Sequence, residues 1–150
     1  MGQQQLLLLV LSTIIVGVSI VVGIGMFQDS AMNANIDTVT QENVTIASKA
    51  TEWFNKSVAL GGGGGDFSAN GGVTLQKLGH ATTAGNAMRD SSEIGIFVVT
   101  VTPPNVITIT GTTNEVDDNS QVRQVETILT MNAVTGSATI TSEVTAAAAP

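Results

Sequence analysis

No cysteine occurs in the chain, which excludes disulfides, zinc–thiolate centres and thiol nucleophiles. Tyrosine is also absent, and one tryptophan with four phenylalanines is too few for a base-stacking platform or an electron-conducting array. His80 is the only histidine, so no histidine cluster and no Ser-His-Asp triad can form, and it is expected to be an ordinary loop residue. Positive charge is scarce: five Lys and Arg stand against twelve Asp and Glu, giving a net charge of −7. Without a basic patch to displace counterions from phosphates, nucleic-acid binding is not expected. Charged residues make up only 11% of the chain, and the abundant Thr, Ser, Asn and Gly suit a neutral, hydroxyl-rich surface on an exported structural protein. With no nucleophile–base pair and no metal-ligand cluster visible, the expectation is a non-enzyme with no cofactor and no metal.

What the chain does have is a long apolar run. Residues 1–27 carry no charged side chain; the first is Asp29. From Leu6 to Phe27 the run is almost wholly Leu, Val and Ile, broken by the small residues Ser12, Thr13, Gly17, Ser19, Gly23 and Gly25. A spanning helix needs roughly 20 apolar residues, and in hydrocarbon only a helix satisfies its own backbone within one segment. A cleavable secretory signal would open with a basic n-region and hold a shorter apolar core. No Lys or Arg precedes this run, so an uncleaved or barely cleaved anchor is expected. Gln3, Gln4 and Gln5 ahead of it mark a membrane–water boundary, or bond to neighbouring subunits, since buried amides must find partners.

The helix is expected to continue through residues 28–60, because neither proline nor glycine interrupts Gln28–Leu60. Met32, Ile36, Val39, Asn43, Ile46, Ala50 and Trp53 recur at spacings of three and four, one stripe on one face. Ile36, Val39, Ile46, Ala50 and Trp53 are the expected helix-to-sheet core, and Glu52–Lys56 an i,i+4 ion pair. A helix from about Gln3 to Ala59 would be roughly 85 Å long. The five glycines Gly61–Gly65 end it, and residues 61–93 read as a flexible Gly-rich connection with one apolar patch at Val73, Leu75 and Leu78. From Ile94 the period changes to two. Strands are expected at Ile94–Val101, Val106–Thr112, Gln121–Met131 and Ala138–Val144, separated by Pro103-Pro104, an acidic turn at Asn114–Ser120 and Thr135-Gly136, with a frayed tail from Thr145. The fold class is α+β: a long helix on a small antiparallel sheet of about four strands in the 94–150 region.

Three motifs invite chemistry and do not support it. The glycine run lacks the Lys-Ser or Lys-Thr of a phosphate loop, follows a helix and meets Asp66. Glu115, Asp117, Asp118 and Asn119 do not have EF-hand spacing and read as a solvated turn. Asn43-Val44-Thr45 and Asn55-Lys56-Ser57 match the glycosylation sequon but fall on the expected helix.

A long helix, apolar then amphipathic, followed by a variable loop and a small antiparallel head resembles the type IV pilin and pseudopilin architecture. Met1-Gly2 before a polar residue and an apolar run resembles a very short class III signal, with Gly2 where prepilin peptidase cuts and Gln3 the first mature residue. Such pilins mostly open with an aromatic or Met and carry a glutamate at the fifth mature position; Gln3 and Leu7 stand there in this chain. The resemblance implies a homopolymer whose helices pack through Leu6, Leu7, Val10, Ile14, Gly17, Ser19, Val21, Gly23 and Gly25. Ser19-x-x-x-Gly23 has the small-xxx-small spacing that lets helices approach closely. It also implies an inner-membrane precursor, assembly machinery as partner, an extracellular filament, and local melting of the helix around Gly17–Gly25 once assembled. The alternatives are a pseudopilin of a secretion system and a membrane-anchored periplasmic binding module with a pocket beneath the 66–93 loop.

Overall fold

The computed structural model describes residues 2–82, 89–91, 94–116 and 121–148. Helix α1 runs unbroken over Gly2–Asn55, Gly17–Gly25 included, and is about 80 Å long at about 1.5 Å per residue. The hydroxyls of its apolar half bond within the helix. Ser12, Thr13 and Ser19 donate to the carbonyls of Leu9, Val10 and Ile15, each at 2.8 Å. That return bond is what allows hydroxyl groups in a segment suited to a dry environment.

The second half of α1 buries the stripe read from the sequence. Met32, Val39, Asn43, Ile46, Ala47, Ala50, Trp53 and Phe54 are buried, and Ile36 packs half-buried against them. The helix stops at Asn55, four residues short of the expected end, and a single 3₁₀ turn, Val58–Leu60, follows. Lys56 thus lies past the last helical residue, and the expected Glu52–Lys56 ion pair does not close; the Glu42 carboxylate meets the His80 ring at 3.5 Å.

The glycine run is a fitted cap, which corrects its reading as a flexible loop. The last turn of a helix leaves its carbonyls without amide partners. Here the amides of Gly63, Gly64 and Gly65 donate to the carbonyls of Trp53, Lys56 and Phe54 at 2.8, 2.8 and 2.9 Å. The chain folds back so closely that a Cβ on Gly62 would sit 2.3 Å from the Lys56 carbonyl oxygen, and one on Gly63 2.5 Å from the Trp53 ring. Only glycine fits there.

Five strands form one antiparallel sheet in sequence order: β1 (Arg89–Ser91), β2 (Gly95–Thr102), β3 (Val106–Val116), β4 (Gln121–Met131) and β5 (Ala138–Ala148). The four long strands are those expected. β1 was not expected: three residues held by pairing to Ile96–Val98 carry no periodicity of their own. β3 runs to Val116 through an irregularity after Thr112, where buried Thr113 accepts the Arg123 amide at 2.9 Å and donates to the Glu115 carbonyl at 3.1 Å. The tail expected to fray from Thr145 instead pairs along β4, with Ala148 opposite Gln121. Ladder bonds hold a segment whose side chains are too small to announce a strand. Asp117, Asp118 and Asn119 lie outside the described residues.

α1 crosses the face of β3 and β4, and the core forms between them. Val39, Ile46 and Ala50 meet Phe97, Val99, Ile107, Ile109, Val125, Leu129 and Met131. The crossing is closest at Gly111, where a Cβ would lie 2.5 Å from Val39 and 2.8 Å from Asn43 Oδ1. Gly111→Val must therefore push the helix off the sheet, at a cost of roughly 1–3 kcal/mol for overpacking. Thermal melting followed by the fluorescence of Trp53, the only tryptophan, measures that loss.

Candidate functional site

The chain carries three surfaces that its own fold leaves unfinished. The first is the apolar half of α1. None of its strongly apolar span is buried, and it is the one described helix long and apolar enough to cross a membrane. Leu6, Leu7, Val10, Ile14 and Val21 are all exposed, from 46% at Val10 to 71% at Val21. Gly17, Gly23 and Gly25 have open space where a Cβ would be. The structure thus places every residue expected to pack between helices on a bare cylinder. Those expected in the head core, Ile36, Val39, Ile46, Ala50 and Trp53, converge on the sheet.

The second surface is β5. Register puts Ile140 opposite Leu129 and Val144 opposite Val125, so both belong to the face that α1 covers elsewhere. α1 only grazes this strand, with Met32, Asn33 and Ile36 sharing a cleft with Val144, and Ile140 and Val144 remain 42% and 49% exposed. The alternation of Ala138, Ile140, Ser142 and Val144 read as a buried face; it is the right face, only partly covered. β5 is also the outermost strand of the sheet, eleven residues long and without proline or lysine. An edge of this kind is open to pairing with another chain.

The third surface is a cleft of about 240 Å³ at the far end of α1, lined by Lys49, Glu52, Trp53, Lys56, Lys77 and Leu78. The connection after the glycine run builds one wall. Phe67 anchors it: fully buried, it stacks on Trp53 at 6.5 Å between ring centroids and leans on Phe54 at 4.7 Å. Its amide donates to the Pro104 carbonyl at 2.7 Å, which ties the connection to the β2–β3 turn. Val73, Leu75 and Leu78, the apolar patch of the connection, are buried behind it. Lys77 Nζ donates to the carbonyls of Asn70 and Gly72, both at 2.6 Å, and sits 5.8 Å from the Trp53 ring centroid.

His80 is more than a loop residue. Lys49 Nζ lies 3.2 Å from its Nε2, and Glu42 Oε1 lies 3.5 Å from its Nδ1. An ammonium can only donate, so Nε2 presents its lone pair and Nδ1 carries the proton towards Glu42. The arrangement clips the connection to α1. Among the described residues no group of three His, Cys, Asp or Glu side chains could hold a metal.

Comparison with known proteins adds no identity. No family model, no curated protein and no solved structure matches this chain. Its surfaces carry the functional argument alone.

Three residues that matter here were not singled out by the sequence. Phe67 follows a glycine run with no periodicity around it. Lys77 becomes notable only when the connection folds over Trp53. Gly111 did leave a signal, since an isolated glycine within a Val, Ile and Thr strand marks close backbone approach. The Asn43 sequon is closed by burial, whereas Asn55 is exposed at the helix end.

Asp66 heads the connection. Its carboxyl is held below the usual carboxylate range, first by the Ser68 hydroxyl at 2.6 Å and then by the Ser68 amide at 2.7 Å. A lowered native pKa means that this contribution to loop order is present above the unfolded value, near 3.8, and is lost as pH falls through the native one. An NMR titration of Asp66 should show the lowered value, and Ser68→Ala should return it towards 3.8.

Proposed function

We propose that this protein is a structural subunit of an extracellular, type IV pilus-like filament. One observation carries the reading: a single unbroken helix is wholly bare over its apolar half and sealed into a folded head over the other half. About 20 apolar residues satisfy a bilayer as a monomer. The same cylinder, with Gly17, Gly23 and Gly25 open to close approach, also suits packing against copies of itself. On this reading the inner membrane holds the precursor until assembly machinery extracts it, with prepilin peptidase cutting at Gly2. The apolar helices then form the filament core and the heads tile its surface. The exposed β5 edge and its half-covered apolar residues suit contact between neighbouring heads.

The deciding experiment is intact mass and electron microscopy of the sheared extracellular fraction of the native cells. Fibres made of this chain support the filament, and the mass reports whether Met1-Gly2 is removed. Deleting residues 1–27 should release a soluble, monomeric head; a head that polymerised unaided would overturn the mechanism. A second reading, a membrane-anchored binding module, draws on the cleft between the connection and α1. It requires the protein to stay with the membrane and no fibres to form.

A further inference from the structure

Lys49, Lys56 and Lys77 are all the lysines of the chain, and all three line the one cleft at the distal end of α1. They gather there in a protein whose net charge is −7. Lys77 is occupied by two backbone carbonyls and Lys49 by the His80 ring, contacts that orient the ammonium groups without neutralising them. Lys56 is exposed just past the helix, and no described carboxylate lies within ion-pair distance of any of the three. Glu52 is the one acid on the rim.

The opposite end of the head is acidic. Asp29 and Asp37 are exposed on α1, eight residues apart and on one side, and Glu115 is exposed near the end of β3. Arg123 beside Asp29 is the base at this end among the described residues. Along α1, Asp37 and Lys56 are separated by roughly 28 Å at about 1.5 Å per residue. Each head therefore has acids without lysine next to the apolar half-helix and, at its tip, a local cluster of three lysines on one cleft, with Glu42, Glu52 and Asp66 nearby.

We propose that the lysine cleft is the docking site for the acidic base of a second copy, with Asp29 and Asp37 of that copy meeting Lys49 and Lys56. The proposal rests on the filament reading and deepens it. Subunits drawn from one membrane leave it with their apolar halves pointing the same way. A copy displaced along the fibre by about the Asp37–Lys56 separation then sets its base beside the tip of the copy it follows. The lysine cleft against Asp29 and Asp37 pairs opposite charges, whereas an inverted copy would set lysine against lysine. Complementary patches of this kind steer encounter and fix register, and here they also fix polarity.

The absence of native cysteine makes the test direct. The full chain is expressed in cells that form the wild-type fibre, and the sheared fibre yield is read for Lys49→Glu/Lys56→Glu, for Asp29→Lys/Asp37→Lys, and for the four substitutions together. Trp53 fluorescence checks that each head is folded. Each pair alone should lower fibre yield about tenfold or more, and the combination should restore it, since interface charge reversal is undone by reversing its partner. Independently, Lys56→Cys/Asp37→Cys should give a ladder of disulfide-linked multimers on oxidation of fibres. Either single cysteine variant should give none.

Wild-type yield from both reversed pairs, with no ladder, would overturn the proposal while leaving the filament standing. A loss in the lysine pair alone, not rescued and without a ladder, would assign the cleft to a different anion and overturn it equally. If the wild-type chain formed no fibres, the filament reading itself would fall, and the proposal with it.

Discussion

Asn43→Asp should destabilise the head by about 4 kcal/mol at neutral pH and be far milder near pH 4. Asn43 is wholly buried where α1 crosses β4, and its Nδ2 donates to the Val125 carbonyl at 2.9 Å and to Thr127 Oγ1 at 3.3 Å. A carboxylate of the same shape cannot donate. It would face that carbonyl with an unpaired charge in the core, an arrangement that costs several kcal/mol. The folded state avoids it by keeping the carboxyl protonated, and the O–H then serves Val125 as the amide did. Burial thus raises the native pKa of the new aspartate above its unfolded value, near 3.9. The sign follows: stability is fully present below the unfolded pKa and is lost as pH rises, by about 1.4 kcal/mol per unit, until the raised native pKa is reached. Urea unfolding of the detergent-solubilised chain at several pH values, followed by Trp53 fluorescence, measures that slope. Equal destabilisation at pH 4 and pH 7 would mean that Asn43 is not buried against Val125.

Phe67→Ala should cost about 3–5 kcal/mol, the usual range for removing a buried aromatic side chain. Phe67 is the largest side chain that the connection contributes to the core, and it touches both Trp53 and Phe54. Its removal opens a cavity beneath Trp53 and takes away the aromatic support of the cleft wall. Local effects should accompany the global one: a red-shifted Trp53 emission, and faster hydrogen exchange of the Val73 amide, which donates to the Phe67 carbonyl at 2.9 Å. Phe67→Leu, which keeps most of the apolar volume, should cost less, roughly 1–1.5 kcal/mol. Equal losses in the two variants would show that Phe67 acts through its backbone bonds to Pro104 and Val73, not through packing.

Asn43 and Phe67 show where reading the chain succeeds and where it stops. Asn43 occupied a step of the apolar stripe, so its place on the buried face of α1 was legible from spacing. What it bonds to was not, because Val125 is more than eighty residues away. Phe67 had no periodic neighbours, and its burial depends on a connection folding back over the helix end. The same divide explains the glycine run. Its sequence announces that the helix must stop, but only the returning backbone shows that Gly62 and Gly63 are fixed by contact with Lys56 and Trp53.

The long helix, its division into an apolar and an amphipathic half, and the four long strands were legible from the chain alone. Those features follow from local periodicity, from the distribution of glycine and proline, and from the absence of charge before Asp29. Only folding left β5 at the edge with its apolar face half-covered, paired the tail to Ala148, clipped His80 to Lys49 and Glu42, and put three lysines on one cleft. What separates the two sets is range. Hydrogen-bonding period and hydropathy act within a few residues, whereas the reach of a helix across a sheet and the gathering of like charges depend on residues brought together only by folding.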